Sequence, residues 1–215
     1  VFVCTFMVTT RAQISKGAVW VGGSIGYNQS KNDFKDAAVK DYKNSSFNVS
    51  PAIGFVVKDN LVVGFRLNYG HDKSENYGST SESKSNSYGG GIFVRKYIPV
   101  ISRVYVFGEA GAAYAYSKGD DTRQEYVNGS YVNIKTNSKG FSTNLSVTPG
   151  LAVAITKKFQ LETSLNSLLG VGYNKSKKTT ERPTSSFDNM TTDQFTAGIF
   201  SDGKAQLNIG CRFLL

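Results

Sequence analysis

The chain has 215 residues with 25 Lys and Arg against 16 Asp and Glu, a formal net charge of +9, and its length suits one ordinary domain. It carries 22 Gly, 12 Tyr and 14 Phe but only 4 Pro, a mixture of strand and turn formers that excludes a helical bundle. The positive charge does not make a nucleic-acid surface, because the lysines alternate with acids, as in Lys31, Asp33, Lys35, Asp36, Lys40, Asp41 and Lys43, and leave no continuous basic face to follow phosphates.

The first residues, VFVCTFMVTTRAQ, join an apolar run to Thr10-Arg11-Ala12, the pattern of a secretory signal and its cleavage site. Residues 1–12 are therefore expected to be a signal remnant and residues 13–215 a single β-barrel domain; the alternative is a first strand of the fold. Cys4 would leave with the signal, so Cys211 would stand alone and no internal disulfide could form. No apolar stretch approaches the roughly 20 residues of a membrane helix. A membrane strand needs only about 10 residues that alternate between lipid and lumen.

That alternation runs through the chain with the strand period of two. Val19, Val21, Ile25 and Tyr27 oppose Gly22, Ser24, Gly26 and Asn28; Phe47, Val49, Ile53, Phe55 and Val57 oppose Asn48, Ser50, Ala52 and Gly54. Leu61, Val63, Phe65, Leu67 and Tyr69 oppose Gly64, Arg66, Asn68 and Gly70. Two less regular strands follow, around Tyr88 to Tyr97 and Val104 to Tyr116, with a glycine-rich second face. Phe141 to Ile155, Leu161 to Tyr173 and Leu207 to Leu215 complete the set, giving eight strands. Between them, tight turns at Lys58-Asp59-Asn60, Pro99 to Ser102 and Thr156-Lys157-Lys158 alternate with long polar stretches. These stretches, about Gln29–Asn44, Asp72–Ser85, Lys118–Lys139 and Lys175–Asp193, are expected to be four long loops at one end of an all-β, closed antiparallel up-and-down transmembrane barrel. Phe195 to Phe200 could extend the last strand or form a hairpin within the fourth loop.

Aromatic placement separates a membrane barrel from a soluble lipocalin-like ligand binder, whose apolar face would point inward. Tyr27, Phe47, Tyr69, Tyr88, Tyr114, Phe141 and Tyr173 lie on the apolar face at the long-loop end of their strands, a shared height that a membrane interface selects. Phe213, with Phe159, could begin a second girdle. The opposite face holds Arg66, Arg95, Glu109, Glu162 and Arg212. Charges cost several kcal/mol at mid-bilayer on the lipid side, so these are expected inside a lumen just wide enough to be filled by side chains. Depth counting puts Glu162 level with Arg212 and Arg66 near Glu109, with Arg95 below them close enough to the lower rim to be solvated.

The strands VWVGGSIGYN, GGGIFVRKYIPV and VYVFGEAGAAYAY, the terminal LNIGCRFLL and the signal-like start together make the chain resemble the eight-stranded outer-membrane proteins of the OmpA/OmpX type, particularly the stand-alone barrels of Bacteroidetes-like bacteria. The likeness is one of pattern, and it departs in ending on Leu-Leu after Phe213, where the family usually ends on the aromatic. It implies a monomer in the bacterial outer membrane whose partners are membrane lipid and lipopolysaccharide, the barrel assembly machinery and an extracellular ligand. No nucleic acid and no cofactor is expected.

Chemistry leaves little trace. Gly22-Gly23-Ser24-Ile25-Gly26 fits the serine-hydrolase G-x-S-x-G pattern, but that motif needs a strand-to-helix elbow and a histidine, and here it lies within a strand. Gly89-Gly90-Gly91 lacks the lysine and helix of a phosphate loop. The single histidine, His71, could serve a lipid-modifying enzyme only with a serine or second acid that the spacing does not supply. No His/Cys cluster suggests a metal. The expected role is a non-enzymatic structural and interaction platform, with a narrow pore for small solutes as the alternative.

Overall fold

A computed structural model describes residues 14–32, 42–76, 81–127, 129–165, 168–182, 188–199 and 207–215. The expected signal lies outside these residues, as do Phe200 and parts of the expected loops.

The described residues form ten antiparallel strand segments: β1 (Val19–Asn32), β2 (Tyr42–Lys58), β3 (Leu61–Asn76), β4 (Ser81–Ile101), β5 (Val104–Val127), β6 (Ser130–Ala154), β7 (Phe159–Leu165), β8 (Leu169–Glu181), β9 (Asp188–Ile199) and β10 (Leu207–Leu214). Both β7 and β8 pair with β6, while β9 pairs with β8 and β10 with β7. The ten segments are thus eight staves, with the last two staves each in two pieces. β10 then pairs with β1 through Trp20↔Leu214 to Gly23↔Cys211, which closes the ring. Among the described residues that seam holds four pairs, whereas β1 pairs with β2 over fourteen, from Val19↔Phe55 to Asn32↔Tyr42.

The alternation in sequence becomes an inverted burial pattern. Ile25, Phe55, Phe65, Leu67, Ile92, Leu145 and Ile209 are exposed on the outside, while the small and polar residues between them face the lumen. A soluble barrel of the lipocalin kind would bury those side chains, so the outer surface is made for lipid rather than water. From Tyr88 to Ile98 the wall runs roughly 34 Å along the strand at ~3.4 Å per residue, or about 26 Å once tilted by ~40°, the height of an outer-membrane apolar band.

The polar stretches expected to be loops are mostly strand. β3 and β4 pair as far as Asn76↔Ser81, β5 and β6 as far as Val127↔Ser130, and β8 and β9 as far as Thr180↔Asp188. Ser, Thr, Lys and Asn on both faces hide the period-two signal, since a hairpin standing in water has no face to bury. Backbone pairing with the neighbouring stave continues regardless, because extended backbone still needs partners for its N–H and C=O groups. Phe195–Ile199 likewise extends the last stave, with Phe195 opposite Tyr173.

The base is closed by the segment that leads into β1. Asn60, in the turn between β2 and β3, has a φ of 61°, and its side chain accepts the Ile14 N–H at 3.0 Å while its own N–H donates to the Ile14 carbonyl at 3.0 Å. Its carbonyl accepts the Tyr97 N–H at 2.8 Å. Ile14 is thereby pinned into a core of Trp20, Val56, Val62, Phe93, Tyr97, Tyr105 and Phe107.

Candidate functional site: a charged floor in the lumen

Five ionisable groups expected inside the barrel occupy one continuous chain of contacts. Arg66 Nη2 lies 2.5 Å from Glu109 Oε1, and Arg95 reaches Glu109 Oε2 through Nε at 2.8 Å and Nη2 at 2.6 Å. On its other side Arg95 Nη1 lies 2.6 Å from Glu162 Oε2, and Arg212 Nε lies 3.1 Å from that same oxygen. The order is Arg66, Glu109, Arg95, Glu162, Arg212, alternating in sign and ending in a cation at both ends.

Strand register explains the meeting. Arg95 and Glu109 are directly opposed on β4 and β5. Glu162 faces Gly210 while Arg212 faces Gln160, so those two meet on the diagonal rather than level. Arg95 is not at a solvated rim: only 3% exposed, it is the hub of the network. Its guanidinium also lies 4.2 Å from the Phe107 ring centre, 4.9 Å from Trp20 and 5.7 Å from Tyr97, an aromatic box that desolvates and orients it.

Tyr97, Trp20, Phe93 and Phe107 are members of the site that patterning passed over. The Tyr97 hydroxyl donates to Glu162 Oε1 at 2.6 Å and accepts from Trp20 Nε1 and Arg95 Nη1, each at 3.0 Å. The signal for them was available: Phe93 and Tyr97 stand two residues either side of Arg95, Phe107 two before Glu109, and Trp20 two before Gly22, so each shares the lumen face. Glycines make room for these large groups. A Cβ on Gly22 would collide with the Arg212 side chain, and one on Gly150 with the Phe107 ring.

Above this floor lies a polar cavity of about 370 Å³, lined by Ser24, Asn48, Ser50, Asn68, Ser164 and Asn208 and floored by the network. Below it is the apolar core, with Ile14 at its base.

Outside, the interface aromatics touch in sequence around the wall. Tyr69 lies 5.3 Å from Tyr88, Tyr114 lies 6.1 Å from Phe141, and Phe141 lies 6.0 Å from Tyr173. Tyr27 is the partner of Phe47 across β1 and β2. Tyr116, opposite Tyr88, and Phe195 extend this belt. Phe213 packs against Phe159 at 5.0 Å near the opposite end. His71 Nδ1 lies 2.8 Å from Asn86 Oδ1, and Gly22 to Gly26 run straight through β1 with no elbow.

A family profile described as outer membrane protein β-barrel domain matches residues 1–200. No curated protein matches the chain. Among solved structures, a major outer membrane protein of Thermus thermophilus is similar at 13% identity over 93% of this chain and 99% of that one, with a TM-score of 0.47. OprG of Pseudomonas aeruginosa is similar at 10% identity over 94% and 97%, with a TM-score of 0.49. The Neisserial surface protein NspA is similar at 16% identity over 92% and 97%, with a TM-score of 0.33.

Proposed function

The chain belongs to the outer membrane protein β-barrel domain family, and from that premise we propose that it is a non-conducting platform that carries rigid hairpins from the outer membrane into the surroundings. The observation that carries this reading is the contrast between the two halves of the wall. Below the aromatic belt the lumen is floored by the ion network, its aromatic box and the apolar core, with a polar cavity above them. Above the belt the staves continue in register, β5 and β6 for eleven residues each beyond Tyr116 and Phe141, roughly 35 Å at ~3.3 Å per residue.

At the tip of that hairpin Tyr126 and Tyr131 meet at 5.0 Å, and they are 65% and 74% exposed. Exposed rigid aromatics at the end of a paired ribbon supply contact area at low entropic cost, as binding surfaces do. The adhesion or surface-binding reading rests on this tip; what speaks against transport is the buried ion network and aromatic core across the lumen.

The test is a chain in which β5 and β6 are joined by a tight turn after Ser117 and before Gly140. The trimmed protein is expected to assemble and keep its shifted migration when unboiled, while cells bearing it lose attachment to protein-coated surfaces and to one another. Undiminished attachment would contradict the platform reading.

A further inference from the structure

The lumen network holds three guanidinium groups and two carboxylates, 3 − 2 = +1, and its two ends are both arginines. Among the described residues each inner member has two partners of opposite sign, whereas Arg66 and Arg212 have one each. Strand register places these two ends on a single row, because Arg212 is the partner of Gly22, Gly22 of Ala52, and Ala52 of Arg66. The wall between them therefore carries only a glycine and an alanine. Both arginines line the 370 Å³ polar cavity, with Ala52 between them.

Two further observations show unused capacity. Arg212 is 8% exposed, yet its Nε–H is a buried donor without a hydrogen-bond acceptor among the described residues, since Glu162 at 3.1 Å lies off its line. Its stem lies over Gly22 and its guanidinium over Gly210, and Nη1 is fixed by donation to the Gly23 and Cys211 carbonyls, each at 2.7 Å. Arg66 spends Nη2 on Glu109 while its side chain is 32% exposed to the cavity. The remaining walls, Ser24, Asn48, Ser50, Asn68, Ser164 and Asn208, are neutral hydrogen-bonding groups.

We propose that the polar cavity lined by Arg66, Arg212 and Ala52 binds a small carboxylate-bearing solute from the outer side. The carboxylate takes the place of a third acid, completes the alternation of charge, and accepts from guanidinium forks whose geometry suits it. A cavity of 370 Å³ has room for a short organic acid. This goes beyond the platform reading and does not depend on it, because the site lies in the barrel and not in the hairpins.

The test uses the full barrel refolded in micelles and follows the arginine Nε–H resonances while sodium acetate is titrated into a constant background of sodium chloride. The Arg66 and Arg212 signals are expected to shift saturably. In Arg66→Gln the apparent affinity should fall at least tenfold. In Asn68→Asp an internal carboxylate sits one step above Arg66 and keeps the acceptor of the Ser50 hydroxyl, now at 2.6 Å from Asn68 Oδ1; acetate should there produce no saturable shift. Unshifted resonances, a linear drift with concentration, or full binding by Asn68→Asp would overturn the proposal. The unboiled gel shift of each variant shows that it has folded.

Discussion

Glu162 is the residue on which most of the lumen depends, since it accepts from Tyr97 and Arg95 and neutralises Arg212 as well. Replacing it with glutamine leaves two buried cations with a weaker acceptor, a change that commonly costs about 3–5 kcal/mol. Removing Arg212 is a milder change: it lowers the network from +1 to zero, so Arg212→Met is expected to cost clearly less. Unfolding by urea in micelles checks the order. A double-mutant cycle on Glu162→Gln and Arg95→Met should show coupling above about 1 kcal/mol; additive effects would mean that these groups are solvated. The five charged positions were legible in sequence because a charge in a strand whose other face is apolar has only the lumen to occupy. The depth of Arg95 was not, because counting from a turn puts it at the rim and ignores the segment before β1. Ile14, bonded to Asn60, caps the end that Arg95 would otherwise share with water.

At the scale of the element, the β3–β4 hairpin shows how a strand pair persists where nothing is buried. Directly opposed residues carry like charges, Lys73 with Lys84 and Glu75 with Glu82, which is unfavourable. The attraction runs along the strands and diagonally instead: Lys73 to Glu75 at 2.5 Å, Lys73 to Glu82 at 3.0 Å and Lys84 to Glu82 at 2.9 Å. Hydrogen bonds from Lys73 hold the Glu75 carboxyl below its ordinary value, and those from Lys84 and Lys73 do the same for Glu82. The same bonds raise Lys73. The carboxylates' support is thus present above their ordinary value of 4.5 and is lost as pH falls through their lowered values. The support from Lys73 is complete below 10.5 and is lost only at higher pH. The protection of this hairpin's amides, relative to their intrinsic exchange rate at each pH, is expected to fall below about pH 4 while the spanning part of the barrel keeps its protection; equal protection at about pH 3 and pH 7 would exclude the charges from its stability. Polar hairpins of this kind left no period in the sequence, which is why strand ends there read as loops. A second element, the latch at the base, gives a cleaner substitution. Asn60→Gly keeps the positive φ and removes only the side-chain acceptor of Ile14, so a loss of about 1 kcal/mol is expected in the urea midpoint.

For the molecule as a whole, the fold was legible because two independent signals agreed: the period of two, and aromatic residues at one height on the apolar face. The seam was not. Pairing of the last stave with both β7 and β8 depends on a register change along β6, from Gly150↔Ser164 to Val147↔Leu169, and no composition marks that place. What the closed lumen does was readable only as a set of charges. Their order, with Arg95 boxed by Phe107, Trp20 and Tyr97, depends on side chains from opposite sides of the barrel. On the platform reading this floor and the core beneath it bar passage, and single-channel recording in planar bilayers tests that most directly. The wild-type protein is expected to give no steady conductance, and Glu162→Gln to give brief openings as the floor loosens. A steady, ion-selective channel from the wild-type protein would contradict the account.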